Sequence, residues 1–156
     1  MKIMIDVQYA SQAPDLPHRA LLTTWVNSTL KSKESLLKQK AEMTIRIVNE
    51  YEAKQLNKRW RQRPYPTNVL SFPFECPPGV DIPLLGDIVI CAPLVAHEAA
   101  EQHKTLYAHW AHLVIHGTLH LLGYDHISEQ EAQIMESLEI QILHELGYSN
   151  PYQIAL

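Results

Sequence analysis

Two histidines four residues apart form the feature of this sequence with the clearest chemical meaning. His116 and His120 stand in a stretch with the hydrophobic spacing of a helix, and side chains four apart leave one face of a helix about one turn from each other. Such a pair can bind one metal ion. Gly123 can end the helix with a positive φ, so that the chain beyond it returns His126 to a third coordination position. Three nitrogen ligands with a fourth position open are typical of a catalytic zinc site, because a structural zinc usually has four protein ligands.

The spacing of these histidines matches a motif of zinc peptidases, with one difference. Peptidases of the metzincin type carry H-E-x-x-H-x-x-G-x-x-H, and all three histidines and the glycine are present here. The glutamate that acts as their general base is replaced by Gly117. The motif therefore predicts metal-dependent hydrolysis of a substrate other than a peptide. His112 is an alternative third ligand, but three ligands along one straight helix would spread over about 12 Å, so we favour His126.

The composition is that of an ordinary globular protein. The 156 residues are 46% hydrophobic and 19% charged, which predicts a single domain over residues 1–156 with one substantial core. A net charge of -4 provides no overall attraction to nucleic acid, so RNA binding would need a local basic patch.

We expect no membrane span, because no apolar run approaches about 18 residues. With no signal peptide and only two cysteines, the expected compartment is the cytoplasm. Cys76 and Cys91 are predicted to be packing residues.

The hydrophobic pattern predicts four strands and five helices. Apolar or alternating runs predict strands over residues 3–7, 43–47, 68–72 and 85–91. Helical spacing predicts five helices. The first is capped by Asp15 and ends at residue 30, the second covers 49–57 and the third covers 93–102. A longer helix, which carries the histidines, follows and ends at residue 122, and the last covers 129–146. The last helix opens with a capping box at Ser128. Its predicted apolar stripe consists of Ile134, Met135, Leu138, Ile142 and Leu146. Residues 31–40 are predicted to be solvated and residues 75–83 to form a loop beside the site.

One carboxylate interrupts the most apolar of the predicted strands. Residues 85–91 are nearly all apolar, as in a strand that is covered on both faces. Asp87 is the exception. Two interpretations stay open for it: a carboxylate close to the metal that takes part in proton transfer, or a strand-end residue bonded to a backbone amide.

A single basic cluster follows the second predicted helix. Residues 58–63 contain four cations and one aromatic residue. A solvated helix end accounts for them, since cations favour the negative end of the helix dipole. Trp60 is predicted to be buried in the core, with stacking on an unpaired base as the alternative.

The motifs closely resemble those of the YbeY family of bacterial endoribonucleases. The resemblance is carried by His-Gly-x-Leu-His-Leu-x-Gly-Tyr-Asp-His at 116–126, Pro-Thr-Asn-Val-Leu-Ser-Phe-Pro at 66–73 and Leu-Gly-Asp-Ile at 85–88. It implies an α+β fold, distantly zincin-like, with a mixed four-stranded sheet packed with about five helices. It also implies one zinc ion on the three histidines, and a role in ribosomal RNA maturation, including the 3′ end of 16S rRNA, and in ribosome quality control. Ribosomal RNA and the ribosome or its proteins are the implied partners.

The resemblance further assigns roles within the basic cluster. Arg61 occupies the position of a functionally important arginine of the family, and its planar fork suits the charge that builds on phosphate oxygens. Lys58, Arg59 and Arg63 would then bind flanking phosphates. The resulting hypothesis is a zinc-dependent endoribonuclease that prefers single-stranded RNA.

Three other classes of protein stay open at this point. A metalloprotease would need a general base from outside the motif. A hydrolase of small phosphoesters would not need the basic cluster. A non-enzymatic, ribosome-associated protein with a structural zinc would unfold without its metal and catalyse nothing.

Overall fold

The computed structural model describes residues 2–31, 40–79 and 83–153. Its strands are β1 (Lys2–Ala10), β2 (Lys40–Val48), β3 (Val69–Pro73) and β4 (Leu84–Cys91). Its helices are α1 (Arg19–Leu30), α2 (Glu50–Arg61), α3 (Ala92–Glu101), α4 (Leu106–Leu121) and α5 (Glu129–Glu145). Most of the predicted solvated segment, residues 32–39, and residues 80–82 of the predicted loop lie outside the described residues.

The strands form one mixed sheet in the order β1-β2-β4-β3. β1, β2 and β4 run parallel, and the edge strand β3 pairs antiparallel with β4. The connections between the parallel strands contain helices, as parallel pairing requires. The predicted α+β fold with a mixed four-stranded sheet and five helices is therefore confirmed for the described chain.

Apolar side chains are buried on both faces of this sheet. The larger cluster packs α1, α4 and α5 on one face. α4 is buried around most of its circumference, which makes it the central element of that cluster. A smaller cluster lies under α2 on the other face and contains Val48, Ala53, Leu70, Val89 and Cys91. Within β4, residues 88–91 are all buried, so the prediction of a strand covered on both faces holds there. The predicted burial of Cys91 is also confirmed.

Several local predictions are wrong. Asp15 does not cap α1, which begins at Arg19 with His18 as its N-cap. Pro17 explains the shift, because a proline disfavours helical backbone at the residue before it. Cys76 is exposed instead of packed, since it lies in a proline-rich segment without helix or strand. Ile134 is 50% exposed, because the buried face of α5 is centred one residue further on, at Met135.

The ends of α2 and α5 show which capping signals act. α2 continues to Arg61, beyond the predicted end, and Gln62 then adopts a left-handed conformation with φ 59°. The extra turn carries the basic cluster, whose cations are favourable at a helix C-terminus. Asn49 is the N-cap of α2, but its side chain makes no cap hydrogen bond. Ser128 does cap α5: its hydroxyl accepts from the backbone N–H of Glu131.

Among the described residues, no helix combines the length and the apolar character that crossing a bilayer requires.

Candidate metal centre

The end of α4 turns the chain back toward its own histidines. Gly123 has φ 100°, and its N–H donates to the carbonyl of His120 at 3.0 Å. The N–H of Tyr124 donates to the carbonyl of Leu119 at 3.1 Å, which completes a Schellman-type end that favours glycine. The backbone N–H of His126 donates to its neighbour Asp125 at 2.8 Å. The turn predicted from Gly123 is therefore present, and it returns His126 to the helix.

The three predicted ligands surround one point. The ring centroids of His116 and His120 are 4.7 Å apart, and the ring of His126 lies 5.6 Å from the first and 5.1 Å from the second. One ring nitrogen from each lies within 4.8 Å of the others. Nitrogens bound to one tetrahedral zinc are about 3.4 Å apart, so the three rings are close enough together to share one ion.

The electrostatics of His120 suit metal binding. Burial lowers the pKa of His120, and the neighbouring His116 and His126 lower it further. A lowered pKa keeps the imidazole neutral, and only the neutral ring has a lone pair for a metal. Three imidazole nitrogens form a donor set that zinc and related transition metals prefer.

His112, the alternative third ligand, is held by a carboxylate. Its Nε2 lies 2.5 Å from Oε1 of Glu139, a hydrogen-bonding distance. His109, one turn earlier, is buried, and its Nε2 lies 2.9 Å from Oε1 of Glu98. Burial lowers the pKa of His109, although Glu98 opposes that effect. Both of these histidines of α4 are therefore within hydrogen-bonding distance of a carboxylate.

Glu139 is a site residue that the sequence analysis missed. It is 0% exposed and lies on the buried face of α5. Its Oε2 lies 3.1 Å from Nδ1 of His116, and its Oε1 accepts from the Tyr152 hydroxyl at 2.7 Å. Burial would raise the pKa of Glu139, but hydrogen bonds from His112 and His116 outweigh it and lower the pKa to about 2. Burial and the bond to Glu139 raise the pKa of Tyr152. A signal was available: Glu139 stands four residues after Met135 and three before Ile142, inside the apolar stripe of α5.

The tight packing of α4 on the sheet explains the missing motif glutamate. A Cβ at Gly117 would lie 3.1 Å from Cδ1 of Ile88 and 3.2 Å from the hydroxyl of Ser71. That hydroxyl donates to the carbonyl of Gly117 at 3.3 Å. A side chain at this position would enter the helix–sheet interface instead of the space beside the histidines.

We expect Gly117→Glu to destabilise the protein without creating a peptidase. The glutamate would force α4 away from β3 and β4, and overpacking of this kind costs about 1–3 kcal/mol, more if the carboxylate stays buried without a partner. Thermal unfolding of the variant should show a clear drop in Tm, and peptide cleavage should stay absent. An unchanged Tm would contradict the packing argument.

Arg61 and the histidine trio line the same cleft, which has a volume of about 620 Å³. Arg61 ends α2, and its Nη2 donates to the carbonyl of Ser71 at 2.8 Å. Its guanidinium lies 5.5 Å from the ring centroid of Phe72. Two contacts to β3 thus hold the arginine at the cleft. The structure brings together four predicted site residues from opposite halves of the chain.

The other three cations of the cluster lie outside this cleft. All three are exposed: Lys58, Arg59 and Arg63. None of them is among the described residues that line the cleft. The guanidinium of Arg59 lies 5.1 Å from the ring centroid of Trp60. These cations are positioned beside the cleft, around the end of α2, and not within it.

One sequence prediction about this region is wrong, and one of the two interpretations of Asp87 is excluded. Trp60 is 55% exposed instead of buried, because α2 ends beside the edge strand and the ring packs edge-on against Phe72 with centroids 6.3 Å apart. Asp87 does not face the histidines. Its neighbour Ile88 contacts α4 at Gly117, and alternate residues of a strand point to opposite faces. Asp87 is exposed in a groove on the other face, beside Trp60.

Comparisons with known proteins identify the family of this chain. The family model for Endoribonuclease YbeY matches residues 7–147. Endoribonuclease YbeY of Cellvibrio japonicus (strain Ueda107) is 51% identical over 154 residues, which are 99% of this chain and 85% of that protein. The solution structure of TM1509 from Thermotoga maritima has a TM-score of 0.56 at 25% identity, and the match covers 96% of this chain and 99% of that one. The resemblance seen in the sequence motifs is thus confirmed, and the chain belongs to the YbeY endoribonuclease family.

Proposed function

We propose that this protein is a zinc-dependent endoribonuclease that prefers single-stranded RNA. The observation that carries the proposal is the placement of Arg61 in the same cleft as His116, His120 and His126. We further propose that the enzyme works in the cytoplasm, matures ribosomal RNA, including the 3′ end of 16S rRNA, and takes part in ribosome quality control with the ribosome or its proteins. Membership of an endoribonuclease family supports this role.

The three histidines would hold one zinc ion, and their neutral side chains would leave its full charge available. Zinc in such a site lowers the pKa of a bound water toward about 7 and polarises a phosphoryl oxygen. The trio forms part of the cleft wall, so a phosphodiester in the cleft can reach it.

Arg61 would bind the phosphate that is cut. One of its N–H groups donates to the carbonyl of Ser71. Within the described parts of the chain its other N–H groups have no hydrogen-bond acceptor, so they are available to phosphate oxygens. The contacts to Ser71 and Phe72 fix the guanidinium before substrate arrives, which lowers the cost of stabilising the charge that develops during displacement. This fixed geometry supports a role in the chemical step beyond general attraction of RNA.

The exposed cations and Trp60 would bind the strand outside the cleft. Lys58, Arg59 and Arg63 can bind flanking phosphates in an otherwise acidic protein. The exposed ring of Trp60 can stack on a base, and stacking of this kind requires bases that are not paired. A preference for single strands follows from this arrangement.

Metal analysis and RNA cleavage together test the proposal. We expect about one zinc per chain and cleavage of a structured RNA in its unpaired regions. Cleavage should stop with a chelator and return when zinc is added. Cleavage that persists after complete metal removal would contradict the proposal. Hydrolysis of a peptide, or of a small phosphoester by a protein that leaves RNA intact, would favour a different hydrolase.

A further inference from the structure

One buried carboxylate connects the candidate metal centre to the C-terminal segment. Both carboxylate oxygens of Glu139 are within hydrogen-bonding distance of neighbours. Oε2 lies 3.1 Å from Nδ1 of His116. Oε1 lies 2.5 Å from Nε2 of His112 and accepts from the Tyr152 hydroxyl at 2.7 Å. The Tyr152 hydroxyl also lies 3.2 Å from Nε2 of His112. The side chain of Glu139 is completely buried. Nothing in the proposed chemistry of the cleft uses this group directly.

An ionised carboxylate can only accept hydrogen bonds, so it determines where its neighbours carry their protons. Nδ1 of His116 must then bear the hydrogen that it donates to Glu139. A neutral imidazole has one N–H, and Nε2 of His116 is therefore left with the lone pair that can bind a metal. The same reasoning places a hydrogen on Nε2 of His112, which removes that nitrogen from the set of possible ligands.

The burial of Glu139 argues against a role in packing alone. A buried charge is unfavourable unless all its acceptor positions are satisfied, and an apolar residue of similar size would fill the same space at lower cost. Neighbouring positions on the buried face of α5, such as Met135 and Ile142, are apolar. The carboxylate is therefore explained by what it does to the histidines.

We infer that Glu139 is a positioning residue that holds His116 in the tautomer and orientation needed for metal binding, with Tyr152 and His112 holding the carboxylate in place. The inference rests on the proposed metal site, and it adds a residue from α5 and one from the C-terminal segment to that site. Outer partners of this kind typically change metal affinity about 10–100-fold when they are lost.

Glu139→Gln tests the inference because it keeps the shape of the side chain. A glutamine has one accepting atom, so it cannot accept from His116 and from the His112–Tyr152 pair with separate oxygens. We expect zinc affinity, measured by competition with a chromogenic chelator, to fall about 10–100-fold. Glu145→Gln is the matched control, since Glu145 is an exposed glutamate on the same helix; its affinity should equal that of the parent protein.

Two further measurements separate positioning from a loss of folding. Nitrogen NMR of the metal-free protein should show His116 protonated at Nδ1, and Glu139→Gln should shift that ring toward the other tautomer. Tyr152→Phe keeps the carboxylate and removes one of its donors, so it should lose less zinc affinity than Glu139→Gln.

A folded Glu139→Gln protein with unchanged zinc affinity and an unchanged His116 tautomer would overturn the inference. A second zinc ion that disappears in this variant would overturn it as well, because Glu139 would then be a direct ligand together with His112 and His116. A parent protein that binds no zinc would instead overturn the proposed function, so the two failures can be told apart.

Discussion

His120→Ala is expected to remove most of the bound metal. The rings of the three histidines form a compact triangle, and the centroid of His120 lies 4.7 Å from that of His116 and 5.1 Å from that of His126. Alanine leaves two nitrogen ligands, and a site with two ligands binds zinc much more weakly than one with three. Loss of a residue that only hydrogen-bonds to a metal ligand lowers metal affinity by up to about 100-fold. Loss of His120, a ligand itself, should lower zinc affinity by more than that. Metal analysis after dialysis, followed by competition titration with a chelator, measures it.

The loss should be confined to the site. His120 is only half-buried, and alanine is the strongest helix former, so α4 should stay folded. Thermal unfolding of the metal-free parent and variant checks this point. His97→Ala is the control, since His97 is an exposed histidine on α3 that pairs with Glu101; its zinc content should be normal. Full zinc occupancy in His120→Ala would remove this histidine from the ligand set.

Arg61→Ala should keep the metal and lose RNA cleavage. The arginine lies in the cleft but contacts Ser71 and Phe72, not the histidines. Its removal takes away a fixed positive charge where negative charge develops, and the loss of one such group typically costs about 100–1000-fold in kcat. Cleavage kinetics on an RNA substrate, with zinc content measured on the same samples, give both results.

A second substitution at the same position separates charge from geometry. Arg61→Lys keeps the charge, but a lysine has no planar fork to bind Ser71 and a phosphate together, so it should recover only part of the activity. Arg19→Ala is the control, because Arg19 is an exposed arginine at the start of α1. Cleavage by Arg61→Ala at the parent rate would exclude Arg61 from the mechanism.

Features that depend on neighbouring residues were well predicted. The alternation of apolar residues located the strands, and helical spacing located the helices, apart from the errors at their ends. The turn at Gly123 could be predicted because glycine adopts a positive φ more readily than any other residue type. The motifs at 116–126, 66–73 and 85–88 together led to the family that the comparisons then confirmed.

Features that depend on the environment of a residue were predicted less well. Trp60 was expected in the core because tryptophan is large and apolar, yet it lies beyond the part of α2 that the sheet covers. Asp87 has the right chemistry for a proton acceptor, but the alternation of β4 directs it to the face opposite the histidines. The chemistry of a side chain does not indicate which face of the sheet it will occupy.

By itself the sequence determined the candidate ligands and the turn that lets them converge, because both follow from helix geometry over eleven consecutive residues, 116–126. Only the tertiary structure decided that Arg61 shares their cleft and that Glu139 lies behind His116. The physical reason is that these contacts join segments far apart in the chain. They depend on the order of the strands and on the packing of α2 and α5, which no local pattern of residues specifies.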